Sequence, residues 1–412
     1  MAIIVQRYGG TSVANAEQIR RAARRVIERM QTGYQVVVVA SARGHQTEEL
    51  MRDALELNPN PPKRELDQLL STGEQQTISL FAMALDAMGY KAISFTGGQI
   101  RMMTDGAYNN AQIISVDSDF IRYELDKGRV VIVTGFQGID QYGNVTTLGR
   151  GGAATSAVAL AATLKAEECE IFTDVDGIYT ADPKIFKKAI VLDQISYDEM
   201  LETASLGAGE LHPRSVAFGK RYDVKIRVRN IANDNPGTII TREVPQMEGV
   251  LVSGATIQKD MAKIGLAGVP NVPGTAATVF ARLAAAKVVV NDIIQTEISR
   301  EKANLSFMVS TTDLQMARQV TEELKTELHC DGVFVREDIA LVSVIGVGMR
   351  SQYGVAQRLF EALAKAQVNI DSITTSEIRI SCAVDIGHVE KALEAVCVAF
   401  QLDRPARQRA AV

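Results

Sequence analysis

Tryptophan is absent from this 412-residue chain, and cysteine and histidine are scarce, with four residues of each. The cysteines stand at Cys169, Cys330, Cys382 and Cys397, without the close spacing that a metal site requires. Four histidines do not complete such a site. We therefore expect reduced thiols in a cytoplasmic protein, with neither a disulfide framework nor a metal held by the protein itself.

The sequence also lacks a long apolar run and an excess of basic residues. No stretch is long enough to cross a bilayer, and no signal or transit peptide is recognisable. The net charge is -5, so we expect neither nucleic acid nor a membrane as a partner. Hydrophobic residues make up 46% and charged residues 23%, an ordinary globular composition, and the length suits two or three domains.

Strand-like and helix-like segments alternate over residues 1–232. The unbroken valine run at 36–39 indicates a strand buried on both faces. We predict an α/β domain with a mainly parallel sheet sandwiched by helices, whose ligands bind beyond the carboxyl ends of the strands. The turn-rich stretch at 233–255 is expected to be a linker.

An internal repeat with an offset of 80 residues follows that stretch. It relates Gly268, Gly274, Phe280, Leu283, Ala284, Val288 and Ile293 to Gly348, Gly354, Phe360, Leu363, Ala364, Val368 and Ile373. Each copy reads as a strand, a glycine-containing loop, a helix and a strand. Two duplicated α+β units of the βαββαβ type, at 256–338 and 339–405, fit this pattern.

A first glycine turn, "RYGGTS", follows the first predicted strand. Gly9 and Gly10 allow the backbone to approach an oxyanion, and a helix N-terminus after them would add donors. Arg7, at the end of the strand, is aimed at the same space. The alternative is a plain tight turn before a capped helix.

Three further candidate binding residues follow, two after the second strand and one in a later helix. Ser41 and Thr47 could hold a carboxylate or an ammonium group, although Thr47 also fits a helix start. Glu74 lies at the head of a helix, where it would either anchor an amine or simply complement the helix dipole.

Another glycine turn, "TTLGRGG", places Arg150 between glycines. Its guanidinium can therefore reach a ligand, and arginine suits bidentate recognition of carboxylate or phosphate. The helix that follows begins with Ala153 and Ala154, where an acid or a hydroxyl is usual.

The segment "FTDVDGIYTADPK" supplies several polar residues after another strand. They are Thr173, Asp174, Tyr179, Asp182 and Lys184. Such aspartates can orient ribose, magnesium or adenine amines, although "VDG" and "DP" are also ordinary turn formers. Successive glycine turns at the strand ends of one sheet together predict a site for a nucleotide and a small anion.

The chain resembles the aspartokinase family, within the amino-acid kinase fold. The motifs "RYGGTSV", "STGEQ", "TTLGRGG", "FTDVDGIYTADP", "ASLGA", "LHPRSV" and "TSEIRIS" occur in the order of that family. The repeat resembles its paired ACT regulatory domains. The resemblance implies transfer of the γ-phosphoryl group of MgATP to the β-carboxylate of aspartate. It also implies a homodimer or higher oligomer formed through the ACT-like units.

The resemblance also implies roles for individual residues. Ser41, Thr47, Glu74 and Arg150 match the positions that bind aspartate, with Arg150 on a carboxylate and Glu74 on the amino group. Thr173, Asp174, Tyr179, Asp182 and Lys184 match the adenosine side. Arg7 would stabilise the transferring phosphoryl group, next to Gly9 and Gly10. Effector contacts would fall at Asn271, Gln295, Ser376 and Glu377.

This chain departs from the family pattern at the transfer machinery. The family has Lys at Arg7, Ser-Asp at Ala153 and Ala154, and Lys at Gly209, while Arg43 replaces a methionine beside the acceptor pocket. Loss of several charge-stabilising groups predicts a large deficit in rate. Three hypotheses stay open: an aspartate kinase with altered machinery, a diverged enzyme for another amino-acid ligand, and a non-catalytic pseudo-kinase that senses ligands or partners an active homologue.

Overall fold

The computed structural model describes residues 1–207, 211–242, 244, 252–350, 353–405 and 408–409. Gly209, one of the predicted departures, lies outside them. The described residues divide into two compact units. The first draws on 1–179, 191–205 and 209–246, and the second on 180–190, 206–208 and 247–412. No helix in the described part of the chain is both long and apolar enough to cross a membrane.

The first unit contains twelve strands and eight helices among its described residues. The strands are β1 (Ile3–Tyr8), β2 (Gln35–Ala40), β3 (Ala92–Phe95), β4 (Met103–Thr104), β5 (Ile113–Ser115), β6 (Val130–Thr134), β7 (Gln137–Ile139), β8 (Val145–Thr147), β9 (Glu168–Thr173), β10 (Gln194–Ser196), β11 (Ile226–Asn230) and β12 (Thr238–Thr241). The helices are α1 (Ala16–Gln31), α2 (Gln46–Leu57), α3 (Lys63–Leu70), α4 (Thr72–Ala87), α5 (Asp119–Asp126), α6 (Gly152–Leu164), α7 (Tyr197–Ser205) and α8 (Pro213–Tyr222).

The large sheet of this unit has the order β10-β12-β11-β9-β1-β2-β6-β3. Within the described residues, all neighbouring strands are parallel except β11 and β12, which confirms the predicted mainly parallel sheet. The valine run behaves as predicted. Val37 and Val39 face one hydrophobic core, and Val36 and Val38 face the other. The strand is buried on both faces because consecutive side chains point to opposite sides.

A small second sheet, with the order β5-β4-β7-β8, completes the first unit. Its last strand, β8, leads directly into the glycine turn before α6.

The domain boundaries remain predictions. The stretch 233–255, expected to be a linker, nevertheless contains β12, which joins the large sheet beside β10 and β11. The buried hydroxyl of Thr238 anchors this strand by donating a hydrogen bond to Leu192 O.

The second unit contains the repeat. Its strands are β13 (Gly254–Gln258), β14 (Met261–Pro270), β15 (Val290–Glu297), β16 (Lys302–Ser310), β17 (Gly332–Arg336), β18 (Ile339–Ile345), β19 (Ser372–Thr375) and β20 (Arg379–Asp385). Its helices are α9 (Thr275–Ala285), α10 (Leu314–Glu327), α11 (Val355–Lys365) and α12 (Val389–Ala399). Helices α9 and α11 begin and end at positions 80 residues apart. Each follows a glycine with positive φ, 101° at Gly274 and 96° at Gly354.

The two copies of the repeat are interlocked. The first runs β14-α9-β15-β16-α10-β17, a complete βαββαβ unit with strand order β15-β16-β14-β17. The second runs β18-α11-β19-β20-α12 and has the order β19-β20-β18-β13. Strand β13, which precedes the first copy in sequence, therefore fills the place in the second sheet that β17 fills in the first. The sequence pattern had assigned 256–338 wholly to the first copy, so it missed this exchange.

Candidate functional site

Four neighbouring parallel strands of the large sheet, β9, β1, β2 and β6, end at the same edge. The loops after β1 and β2 are in direct backbone contact there. The Gly44 N–H donates a hydrogen bond to Gly10 O at 3.0 Å. A Cβ atom on Gly10 would lie only 2.8 Å from Gly44 O. Gly10 is therefore needed for close approach of the two loops.

Arg7 closes over the first glycine turn, as its position in the sequence predicts. A Cβ atom on Gly9 would lie 3.0 Å from Arg7 Nη1. Arg7 Nη2 donates a long hydrogen bond to Ser41 Oγ, at 3.4 Å. The structure therefore brings Arg7, Gly9 and Ser41 together at the ends of adjacent strands.

The expectation that a helix N-terminus faces this turn is wrong. Gly10–Val13 form a single 3-10 turn, and α1 begins only at Ala16. The side chain of Asn15 accepts hydrogen bonds from the N–H groups of Glu17 and Gln18, both at 3.0 Å. Since these N–H groups already have a partner, the donors at this turn come from the glycine backbone and Arg7.

Glu74 is a buried carboxylate in the first turn of α4, with 3% of its surface exposed. The Ala42 N–H donates a hydrogen bond to its Oε1 at 3.0 Å, whereas its Oε2 is buried and has no hydrogen-bond partner among the described residues. Burial raises the pKa of Glu74 to about 7, although the backbone N–H groups of Ala42 and Glu74 lower it. A buried carboxylate of this kind gains most from a cation placed at its open oxygen.

The glycine turn before α6 presents Arg150 to solvent. Gly149 and Gly151 both have positive φ, 74° and 73°. Gly151 is the N-cap of α6 and makes no side-chain capping bond. The Gly152 N–H donates a hydrogen bond to Gly149 O at 3.0 Å within this turn. The exposed guanidinium of Arg150 is therefore the group here that is accessible to a carboxylate or a phosphate.

The two alanines at the start of α6 are part of the hydrophobic packing. Ala153 is 7% exposed and Ala154 is 5% exposed. Ala153 lies against Gly135, where an added Cβ would be only 2.7 Å from the Ala153 Cβ. The first turn of α6 contains no acidic residue. These positions contribute packing to the site and no charge.

Two residues that fix this turn escaped the sequence analysis. Asp67, wholly buried in α3, accepts hydrogen bonds from the Asn109 N–H at 3.0 Å and from the N–H and Oγ1 of Thr147, both at 2.7 Å. Arg214 donates to Leu148 O at 2.7 Å and to Ala111 O at 2.5 Å. Asp67 has no sequence signal because its partners are distant in the chain. Arg214 lies in the quoted motif "LHPRSV", which could have identified it.

The predicted nucleotide residues are divided between the two units. Thr173, Asp174 and Tyr179 belong to the first, whereas Asp182 and Lys184 belong to the second. Thr173 Oγ1 donates a hydrogen bond to Asp174 Oδ1 at 3.1 Å. In the second unit, Asp182 Oδ1 accepts the Lys184 N–H at 2.8 Å, which is the turn chemistry that its sequence also allowed.

Asp176, beside Asp174, is a further residue that the sequence analysis missed. It accepts hydrogen bonds from the side-chain amides of Asn230 at 2.7 Å, Asn233 at 2.8 Å and Asn235 at 3.1 Å. The hydrogen bonds from Asn233 and Asn230 hold the pKa of its carboxyl below the usual range. This cluster fixes the turn after β9.

The remaining acceptor candidates are less constrained. Arg43 is partly buried, and its Nε has no hydrogen-bond partner among the described residues. Thr47 is the second residue of α2 and does not cap it, because the N-cap is His45. Among the described residues, no group of three or more His, Cys, Asp or Glu side chains could hold a metal ion.

The effector candidates lie in the second unit, on two different sheets. Asn271 follows β14, and its N–H donates to Glu301 O at 2.8 Å, while Gln295 is exposed on the edge strand β15. Ser376 and Glu377 are exposed in the turn between β19 and β20.

Comparison with known sequences and structures places these features in context. Residues 2–230 match the Amino acid kinase family, and residues 265–329 and 342–400 each match an ACT domain. The chain is similar to an aspartokinase of Bacillus sp. (strain MGA3), 46% identical over 402 residues and 98% of each chain.

The fold is similar to two crystal structures of E. coli aspartokinase III. The R-state complex with aspartate and ADP has a TM-score of 0.81 and 25% identity, over 97% of this chain and 100% of the other. The T-state complex with lysine and aspartate has a TM-score of 0.75 and 25% identity, over 96% and 99% of the two chains.

Proposed function

The chain belongs to the aspartokinase family, and we propose that it transfers the γ-phosphoryl group of MgATP to the β-carboxylate of L-aspartate, giving 4-phospho-L-aspartate. Magnesium enters as part of MgATP, bound to the phosphates of the nucleotide. The work of such a protein is to position two anionic substrates and to neutralise the charge of the transferring group.

Glu74 is the observation that carries the proposal. Its Oε2 is buried and without a hydrogen-bond partner among the described residues, and its pKa of about 7 reflects burial without a compensating cation. The ammonium group of an amino acid would supply both the missing charge and the missing donor. Arg150, exposed on its glycine turn, would pair with a carboxylate of the same ligand. Ser41 and Thr47 would complete the acceptor contacts.

Arg7 is the residue placed to stabilise the transferring phosphoryl group. Its guanidinium lies over Gly9 and donates a hydrogen bond to Ser41. The positive charge of Arg7 is therefore next to both the first glycine turn and the loop after β2 that carries Ser41. Backbone N–H groups of Gly9 and Gly10 would contact phosphate oxygens. On the nucleotide side, Thr173, Asp174 and Tyr179 of the first unit would bind the adenosine portion.

The rate of this reaction is expected to be low, which supports a second candidate function. The buried Ala153 and Ala154 bring no charge to the first turn of α6. Arg43 adds a cation to the loop after β2, and its Nε has no hydrogen-bond partner in the described part of the chain. A diverged homologue would use the same pocket for another acidic amino acid. A non-catalytic homologue would bind aspartate and nucleotide only, or pair with an active aspartokinase.

Incubation with MgATP, aspartate and hydroxylamine distinguishes these functions. An aspartate kinase traps its product as aspartyl hydroxamate, and an active aspartokinase relative serves as the positive control. Absence of hydroxamate at high protein concentration rejects the proposed reaction. A parallel screen of thermal stabilisation by amino acids, with and without nucleotide, then identifies a preferred ligand. Stabilisation by a compound other than aspartate favours the diverged homologue.

We also propose that the ACT-like units assemble the chain into a homodimer or higher oligomer in the cytoplasm. Asn271, Gln295, Ser376 and Glu377 would contact an amino-acid effector. Light scattering tests the assembly, and the hydroxamate assay with and without lysine or threonine tests the effector role. A monomer at micromolar concentration rejects the assembly, and an unchanged response of activity to either amino acid rejects the effector role for it.

A further inference from the structure

The side chain of Arg214 bonds to two backbone carbonyls on separate segments. Nη1 donates to Leu148 O at 2.7 Å and Nη2 donates to Ala111 O at 2.5 Å. Leu148 is the last residue before the turn formed by Gly149, Arg150 and Gly151. Both Nη atoms therefore bond to the backbone of these two segments, which lets Arg214 act on a ligand through the position of the turn.

Asp67 holds the same two segments at the other side. It accepts hydrogen bonds from Asn109 and Thr147, and the Ala111 N–H donates to Thr147 O at 2.9 Å. Residues 109–111 and 147–148 therefore run side by side, with a carboxylate and a guanidinium fixing the pair. Side-chain hydrogen bonds thus fix the backbone immediately before the glycine turn.

The turn itself is in close contact with Asn109 on one side and with His212 on the other. A Cβ atom on Gly149 would lie 2.8 Å from Asn109 O, and one on Gly151 would lie 2.2 Å from the Cβ of His212. His212 Nδ1 accepts a hydrogen bond from the Arg214 N–H at 3.2 Å. His212, which packs against Gly151, and Arg214 therefore belong to one short segment at the start of α8.

His212 also shows that Arg150 lies near this segment. The pKa of His212 is lowered, mainly by burial and then by the charges of Arg214 and Arg150. A neutral imidazole keeps Nδ1 available as an acceptor and avoids a further positive charge beside the two arginines.

We propose that Arg214 is a positioning residue for the acceptor: it fixes the backbone of the turn so that Arg150 meets the substrate carboxylate. This inference rests on the proposed function, in which Arg150 binds the acceptor. Without the two bonds from Arg214, the carbonyls of Leu148 and Ala111 lose their side-chain partner, while the Asp67 contacts and the hydrogen bond from the Leu148 N–H to Phe136 O remain. Arg150 then samples more orientations, and binding of the acceptor weakens while the nucleotide side is unaffected.

Arg122 offers a matched control at the opposite end of α6. Its Nη2 donates to Leu164 O at 2.8 Å, so Arg122→Met also removes an arginine–carbonyl hydrogen bond from this region. Arg214→Met, Arg214→Lys and Arg122→Met are compared with the unmodified full chain. The measurements are kcat, KM for aspartate, KM for ATP, the melting temperature, and hydrogen–deuterium exchange of peptides covering 146–156.

We expect Arg214→Met to raise KM for aspartate at least tenfold and KM for ATP less than twofold, with faster exchange at 146–156. Arg214→Lys should lie between it and the unmodified chain, and Arg122→Met should keep both KM values within twofold. Equal changes in the two KM values, or no difference from Arg122→Met, would overturn the inference. If Arg214→Met does not fold, Arg214→Lys carries the same comparison.

Failure of the proposed function is recognised separately, because the exchange measurement needs no activity. An unmodified chain that yields no aspartyl hydroxamate rejects the kinase reaction. In that case the inference is carried by exchange at 146–156 and by the midpoint of thermal stabilisation by aspartate. Unchanged exchange and an unchanged midpoint in Arg214→Met would reject the positioning role whatever the chemistry of the site.

Discussion

Glu74 accepts at its Oε1 the backbone N–H of Ala42, at 3.0 Å, and thereby ties the start of α4 to the loop that carries Ser41 and Arg43. The bond occupies only one of the two carboxylate oxygens. The other remains buried with no hydrogen-bond partner among the described residues. The pair therefore leaves the carboxylate of Glu74 with one of its two oxygens unsatisfied among the described residues.

Binding of aspartate should depend on the ionisation of Glu74. With a pKa of about 7, only about one tenth of the free protein carries the charged form at pH 6. An ammonium ligand needs that form, so KM for aspartate should rise about tenfold between pH 8 and pH 6. Glu74→Gln should have a high KM that changes little over this range. A pH-independent KM in the unmodified chain would contradict the assignment.

The same pKa predicts that Glu74 destabilises the ligand-free protein at alkaline pH. Its folded value of about 7 exceeds the ordinary value of 4.5, so folding favours the protonated form. Stability relative to Glu74→Gln is greatest at low pH and is lost as the pH rises through 7, by about 3 kcal/mol in total.

Thermal unfolding across pH tests this expectation. Glu74→Gln should melt above the unmodified chain at pH 8 and close to it at pH 4. Glu49→Gln, at an exposed position of α2, is the control and should track the unmodified chain throughout. A melting temperature of Glu74→Gln below that of the unmodified chain at pH 8 would show that the carboxylate is stabilising.

Restoring polar residues at the start of α6 should exchange stability for activity. Arg7→Lys combined with Ala153→Ser and Ala154→Asp places a compact cation and a carboxylate at the site. One regained charge-stabilising group can change the rate by on the order of tenfold to a thousandfold. Because both alanines are buried, the variant should melt several degrees lower. Hydroxamate formation no faster than in the unmodified chain would argue that the alanines do not limit the reaction.

Gly151→Ala should damage the turn through a collision with His212. The added Cβ would lie 2.2 Å from the His212 Cβ, and the φ of 73° is unfavourable for alanine as well. We expect a loss of about 3 kcal/mol in the free energy of unfolding. Replacement of His212 by glycine should recover part of it, because the obstructing side chain is removed.

Gly143→Ala is the matched control for that substitution. Gly143 has a similar φ of 80°, but apart from Gly143 and its two chain neighbours, no atom of the described residues lies within 4 Å of its added Cβ. It should lose only the backbone cost, about 1 kcal/mol. Chemical denaturation of both variants gives the comparison. Equal losses would mean that strain in φ, and not contact with His212, dominates at Gly151.

Removing the Asp176 carboxylate should loosen the turn after β9. Asp176→Ala leaves the side-chain amides of Asn230, Asn233 and Asn235 without their shared acceptor. We expect KM for ATP to rise several-fold with KM for aspartate nearly constant, because Asp174 is two residues away. A selective rise in KM for aspartate would instead place this turn on the acceptor side.

Local patterns in the sequence predicted the parts of the site that lie at strand ends. The valine run sufficed for the buried central strand, and the glycine turn after β1 sufficed for the position of Arg7 over Gly9; the hydrogen bond of Arg7 to Ser41 was not predicted. Asp67 was not predicted, because its partners are far away in sequence and are reached only through the folded topology. Arg214 lies in a quoted motif, but its carbonyl partners are equally distant in sequence. The alternative of a tight turn before a capped helix describes α1, which Asn15 caps and which a short 3-10 turn separates from the glycines.

The pairing of β13 with the sheet of the second repeat copy affects both the synthesis of the chain and its division into fragments. β13 leaves the ribosome before the whole first copy, whereas β18, against which Gly254 pairs with Ile345, follows that copy. β13 therefore lacks its partner strand until residues 259–338 and then β18 have been synthesised. A cut at 338 would separate β13 from its sheet, so an excised second copy needs residues 254–258 joined back to it.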